Sequence, residues 1–330
     1  MSFGYSCVSG SLNMLGKKAE NLHQSVLLDE TLAALDPRRG GVFVDATLGM
    51  AGHAEAILLA NPDNFVIGLD QDADAVALAT ERLKPFADRV NIFHSSFSKL
   101  KGVLGESGHE KVDGILADLG VSSLQLDNAQ RGFSFRFDAP LDMRMDASAA
   151  IPTAAELLET LPEEEIANII YRFGEERFSR RIARRIIERR DAGNPVTTTS
   201  ELAELVERSV RRSPKDKIHP ATRTFQALRI AVNRETEVLE RFLVDAVGSL
   251  KTEGRLAVIT FHSLEDRIVK QAFQRLSGKC QCPPKIPQCV CGARKEVEVL
   301  TLKPIVPGEE ETGANPRSRS AKLRAVKKID

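Results

Sequence analysis

Between residues 42 and 118 the chain alternates short, continuously apolar runs with stretches of helical spacing, and this alternation restricts the fold more than any other feature. The runs 42–45, 65–70, 90–94 and 112–117 are rich in Val, Ile, Leu and Phe and read as strands. Strands that are apolar on both faces need cover on both faces, so a parallel sheet flanked by helices is expected, an α/β fold. Helical spacing fills 54–60 and 73–84, with Asp72 placed to cap the second. From about 124 to 217 the pattern turns helical, over 153–158, 163–171, 178–190 and 199–210, punctuated by Pro152, Pro162, Pro195 and Pro214. A long helix is expected over 224–250, and strand patterning returns over 255–261. One α/β domain interrupted by an all-helical insert is more economical than two domains in series.

The ends of these runs carry the chemistry. The first ends in Asp45 and runs through Thr47, Gly49, Ala51, Gly52 and His53 into a helix; the second ends in Asp70, 25 residues on. Glycines at a strand-to-helix turn let a ligand approach the backbone, and an acid at the second strand tip is placed to accept from ribose hydroxyls. Phe97 follows the third strand, where it could pack on an adenine face, and Asp118 follows the fourth. Several tips thus converge on one crevice. The first glycine of a Gly-x-Gly-x-x-Gly fingerprint is missing and no phosphate loop is present. Asp45 suits a ligand with an ammonium group better than a pyrophosphate. S-adenosylmethionine, with its nucleoside, amino acid and sulfonium, fits best. The plainer reading of each acid is a helix cap or surface charge, and for Asp72 and Asp74 it is preferred.

Forty-six basic residues balance 46 acidic ones, which at first argues against a nucleic-acid partner. Position changes that inference. Residues 29–81 hold ten acids and two bases; residues 172–190 hold eight Arg and three Glu; residues 208–223 hold six bases and one acid; residues 313–330 again hold six and one. An acidic N-terminal third and basic segments elsewhere are compatible with a polyanion met by part of the surface, although basic helices are more often solvated faces. No apolar run approaches the ~20 residues of a membrane span, and residues 1–21 lack the pattern of a secretory signal. A cytoplasmic protein is expected.

Specific blocks then appear in order: Leu22-His23-Gln24-Ser25-Val26-Leu27-Leu28, Asp45 to His53, Asp118 to Asp127, Arg131 to Phe135, Pro140 to Asp146, His219 to Asn233, Thr260 to Arg267 and Asn315 to Ser320. The series resembles the RsmH (MraW) family, bacterial methyltransferases acting on cytosine N4 of small-subunit ribosomal RNA, over about residues 22–328. The resemblance implies a Rossmann-like class I methyltransferase sheet with an inserted helical domain: 22–123 and 218–330 as the two parts of the methyltransferase domain, 124–217 as a substrate-recognition insert, and 1–21 as a disordered extension, with Met14 an alternative start. It implies S-adenosylmethionine as cofactor, held by Ala51, Gly52, His53, Asp70, Phe97, Asp118 and Gln125. The implied substrate is a cytidine in the decoding region of 16S rRNA, in the small subunit or its late precursor; a homodimer is open to it. Where the family commonly reads Gly-Gly-His, this chain has Ala51-Gly52-His53, tolerable unless φ must be positive there.

Cytosine N4 is a poor nucleophile, so transfer needs alignment and acceptors for the amino hydrogens more than a strong base. Asp118, helped by Ser122 or Ser123, is the candidate acceptor, and His262 could face the same crevice. The target base must leave its stack, and the Phe residues in 131–137 could receive it or simply pack a core. Arg223, Arg229, Arg317 and Arg319 are candidate phosphate contacts, weighed against solvated charge. Cys280, Cys282, Cys289 and Cys291 form two Cys-x-Cys pairs in a loop, able to hold zinc or to remain thiols. A non-catalytic ribosome-assembly factor, or a methyltransferase acting on DNA or another base, is the rival reading.

Overall fold

The computed structural model describes residues 25–210, 219–280, 282 and 293–329. The expected extension 1–21, Cys289 and Cys291 lie outside them. Seven strands form one sheet in the order β3-β2-β1-β4-β5-β7-β6. They are β1 (Gly41–Asp45), β2 (Asn64–Asp70), β3 (Val90–His94), β4 (Val112–Asp118), β5 (Leu250–Thr260), β6 (Val297–Val299) and β7 (Lys322–Lys328). The first five run parallel; β7 lies antiparallel to both β5 and β6. Consecutive residues of the central strands serve opposite faces. Val44, Ile67 and Ile115 join one apolar cluster, with Phe242, Leu243 and Phe273, while Phe43, Val66 and Leu116 join the other, with Leu27, Ile57 and Leu58. This two-sided burial is the physical content of the continuously apolar runs.

A third apolar cluster belongs to the helices Ala154–Thr160, Glu163–Gly174, Ser179–Asp191 and Thr199–Ser209, together with Ala221–Asn233. Capping boxes at Thr153/Glu156 and Thr198/Glu201 set the starts of two of them. This core takes in Phe225, Leu228 and Val232, so it reaches beyond residue 217. The long helix expected over 224–250 is two helices, Ala221–Asn233 and Glu235–Gly248, separated by Arg234 at φ 51°. The cause lies in Asn233, whose Nδ2 donates to the carbonyls of Met143 and Arg229 and whose Oδ1 accepts from the Met145 N–H. These bonds fix the chain where it leaves the helical cluster. β5 is longer than the strand expected over 255–261, beginning at Leu250. Among the described residues no helix is long and apolar enough to cross a membrane.

Candidate active site

The tips of β1, β2 and β4 open on a cavity of about 740 Å³, within the roughly 300–1,000 Å³ usual for small-molecule sites. Gly52, His53, Asp70, Phe97, Asp118, Ser122, Ser123, Gln125, Arg229, His262 and Arg317 all lie on its wall, so most residues singled out from the sequence are brought together. Asp70 closes the β1 loop: its Oδ2 accepts from the Gly49 N–H at 2.8 Å and its Oδ1 from the Asp72 N–H at 2.9 Å. Phe97 is half-buried and packs edge-on against Phe242, with ring centroids 5.0 Å apart. Ser122 caps the short helix Ser123–Asp127, its hydroxyl oxygen accepting from the Gln125 N–H while the Gln125 carboxamide oxygen accepts from the Ser122 N–H.

Asp118 is the unusual member. Its backbone N–H donates to Thr47 Oγ1 at 2.6 Å, and its Oδ2 lies 3.8 Å from His53 Nε2. Its Oδ1 is buried and has no hydrogen-bond partner among the described residues. Burial, with Asp45 and Glu265 nearby, pushes the Asp118 carboxyl well above the usual carboxylate range. A crevice lined by Asp70, Asp118, Glu235 and Glu265 suits a cationic ligand with hydrogens to donate. The residues present therefore fit S-adenosylmethionine, which carries a sulfonium and an ammonium.

Several sequence expectations need correction. Asp45 is 1% exposed and lies beneath the loop, off the cavity wall; it accepts from the Thr47 N–H at 3.2 Å. Desolvation first, then proximity to Asp70, raise its carboxyl to about 7, against the lowering effect of the Thr47 hydrogen bond. The folded protein thus holds a proton there that the unfolded chain releases near pH 4. Stability from this group is present below pH 4 and is lost as pH rises through about 7. Asp45→Asn should remove on the order of 2–4 kcal/mol of that fall, read from denaturant midpoints at pH 5 and 8; parallel curves for both proteins would refute it.

Ala51 is also absent from the wall. It is wholly buried, its N–H donates to the Leu48 carbonyl, and its φ is 62°. The positive φ that an alanine resists is therefore required here. Ala51→Gly should raise stability by about 0.5–1 kcal/mol, the relief of left-handed strain exceeding the added chain entropy; a lower urea midpoint would contradict this.

The stacking role considered for the Phe residues in 131–137 finds no geometric basis. Phe133 and Phe135 pack into the helical cluster, Phe135 against His219 and Phe225, while Phe137 is exposed away from the wall. Arg229 is no free phosphate contact, because its charge is paired with Glu235, to which Nε and Nη2 donate at 2.9 and 2.8 Å. Arg317 pairs with Asp127 at 2.5 Å on the wall, whereas Arg223 and Arg319 are exposed and off it. His262 caps the helix Ser263–Leu276, its Nδ1 accepting from the Glu265 N–H, with Nε2 3.1 Å from Glu265 Oε1. Glu235, His262 and Glu265 offer ligand-type atoms within 4.8 Å of one another, but Arg229 already supplies a cation among them. Cys280 is exposed and Cys282 half-buried. Glu235, Glu265, Asn233 and Met145 also line the cavity and were not anticipated; for Glu265 the usable sign was its place in the block 260–267.

The sheet order, the antiparallel β7 and a crevice at the parallel strand tips define a class I S-adenosylmethionine-dependent methyltransferase. The sequence profile of the MraW methylase family matches residues 20–329, and the chain belongs to that family. It is 54% identical over 313 residues to the ribosomal RNA small subunit methyltransferase H of Geotalea daltonii, covering 94% of this chain and 100% of the relative. The proteins of the same name from Citrifermentans bemidjiense and Carboxydothermus hydrogenoformans are 52% and 51% identical, each over 93% of this chain and 98% of the relative.

Proposed function

We propose that this methyltransferase places a methyl group on N4 of a cytidine in the decoding region of 16S rRNA, acting in the cytoplasm on the small ribosomal subunit or its late precursor. The family and its relatives support an rRNA substrate of the small subunit. The single observation behind the amino-group chemistry is the Asp118 carboxyl on the cavity wall, its side chain 24% exposed and one of its oxygens left unsatisfied by the described residues. The cofactor supplies a methyl on a sulfonium that becomes neutral on transfer. Asp118 accepts a hydrogen bond from the amino group, orients the N4 lone pair toward the methyl, stabilises positive charge as nitrogen pyramidalises, and takes up the proton that N4 sheds once methylated. Ser122 can add a weaker contact, since its oxygen already caps a helix. Gly52, His53, Asp70, Phe97 and Gln125 are assigned to the cofactor, and Arg223, Arg317 and Arg319 to phosphates. His262 is assigned to holding Glu265 and the wall around it.

The test is mass spectrometry of rRNA from cells lacking the protein. Loss of one methyl from a decoding-region cytidine, restored by the purified enzyme on small subunits, is expected; an unchanged methylation pattern refutes the assignment. Affinity for the subunit should fall steeply with salt, as phosphate neutralisation requires.

A further inference from the structure

Arg229 projects from the helix Ala221–Asn233 and is held on two edges. Its Nε and Nη2 donate to the two oxygens of Glu235, and Nη2 also lies 3.3 Å from His262 Nε2 and 3.7 Å from Glu265 Oε1. The side chain is only 13% exposed, so this is a fixed guanidinium rather than a roaming surface charge. Its remaining nitrogen, Nη1, enters no hydrogen bond among the described residues, although Arg229 lines the same cavity as Asp118. Glu265 connects the two groups: it is close to Arg229 and close enough to Asp118 to raise that carboxyl. The wall therefore offers one carboxyl whose side chain is 24% exposed, that of Asp118, and one unused pair of donor hydrogens, on Arg229 Nη1.

A cytosine edge is the complement of this set. It presents an amino donor at N4 and acceptors at N3 and O2. Uracil would put a carbonyl against the carboxylate and N3–H against the guanidinium. Adenine matches the amino group and the adjacent ring nitrogen, but has C–H where cytosine has O2. We propose that Arg229 is a specificity-determining residue that reads N3 and O2 of the target cytosine through Nη1, while Asp118 takes the amino group. This rests on the cytidine-N4 reading above. A donor at N3 draws the N4 lone pair into the ring, so Arg229 serves binding and selection rather than nucleophilicity. Its loss should appear in KM and leave kcat near the wild-type value.

The test uses unmethylated small subunits reconstituted with rRNA carrying either cytidine or 3-deazacytidine at the target. They are given to the wild-type enzyme and to R229Q/E235Q, which removes both charges together and leaves no partner of the pair ionised. Cofactor affinity of each protein is measured by calorimetry. Wild-type kcat/KM is expected to fall about tenfold or more on the 3-deaza substrate, through KM. The variant should already show that loss on cytidine and be indifferent to the deaza substitution. A purely structural Arg229 would leave the variant as sensitive as wild type, and that result overturns the proposal, as does a wild-type enzyme indifferent to the ring nitrogen. Should R229Q/E235Q fail to bind cofactor, R229K, which keeps the charge but lacks Nη1, is judged by the same criterion. A wild-type enzyme that leaves N4 unmethylated on ordinary subunits would instead overturn the cytidine reading itself.

Discussion

Replacing Asp118 by asparagine is expected to make the folded protein more stable while reducing methyl transfer by about a hundredfold to a thousandfold. Both effects have one origin. In the structure Asp118 is a desolvated carboxyl beside Asp45 and Glu265, with one oxygen that no described group satisfies. Its raised proton affinity means that ionising it works against the fold. Asparagine keeps the shape and an acceptor oxygen but removes that charge, so the denaturant midpoint above neutral pH should rise. The same charge is what the proposed reaction uses, because positive character developing on N4 is met by the Asp118 carboxylate at the cavity wall. Cofactor binding should weaken by no more than about tenfold, the loss of one carboxylate near a cation in a partly wet site. The decisive measurement pairs single-turnover methylation with calorimetric cofactor affinity. Unchanged turnover would remove Asp118 from the chemistry; turnover and cofactor affinity lost in equal proportion would make it a binding residue only.

Half of this crevice could be read directly from residues. Apolar runs long enough for strands, each ending in an acid or a glycine turn, place Asp70 and Asp118 at the same end of a parallel sheet whatever the loops do, and the structure has them there, on either side of β1. The other half depends on where the helical insert returns to the sheet. Arg229, Asn233 and Glu235 reach the wall because the chain breaks at Arg234, and apolar spacing continues across 221–248 without marking that break. The break is fixed by hydrogen bonds between Asn233 and Met143 and Met145, some 90 residues away, which no local pattern encodes. For a similar reason Arg229 read as a phosphate contact: its charge is visible in sequence, but the neutralising Glu235 is a tertiary partner as well as a near neighbour. Asp45 shows the converse error, a correct strand tip with the wrong exposure. The residue follows Val44 into the buried layer while the loop from Thr47 to Gly49 passes over it.

The second large effect is expected at Asp72, a residue whose sequence reading was no more than a helix cap. It is that, accepting from the Asp74 N–H at 3.1 Å. At 4% exposure its Oδ2 also accepts from Gln125 Nε2 at 2.9 Å and from Arg131 Nη1 at 2.8 Å. One carboxylate thus ties the β2 exit to the helix that follows β4 and to the chain entering the insert. Arg131 in turn donates to the Met145 carbonyl at 2.7 Å, and the Met145 N–H donates to Asn233, so the tie continues to the break beside Arg229. Asp72→Ala leaves a guanidinium only 11% exposed and a buried carboxamide without their acceptor, and should cost about 3–5 kcal/mol, the usual penalty for breaking one side of a buried ion pair. Asp72→Asn keeps an acceptor but not the charge, and should retain roughly half of that stability, since hydrogen bonds between ionised partners are about twice as strong as neutral ones. Urea midpoints of both variants give the stability terms. Because Gln125 and Asp70, both assigned above to the cofactor, belong to the same network, cofactor affinity should fall in the order wild type, Asp72→Asn, Asp72→Ala. An alanine variant with the wild-type midpoint would show that the insert is held to the sheet by its apolar contacts alone.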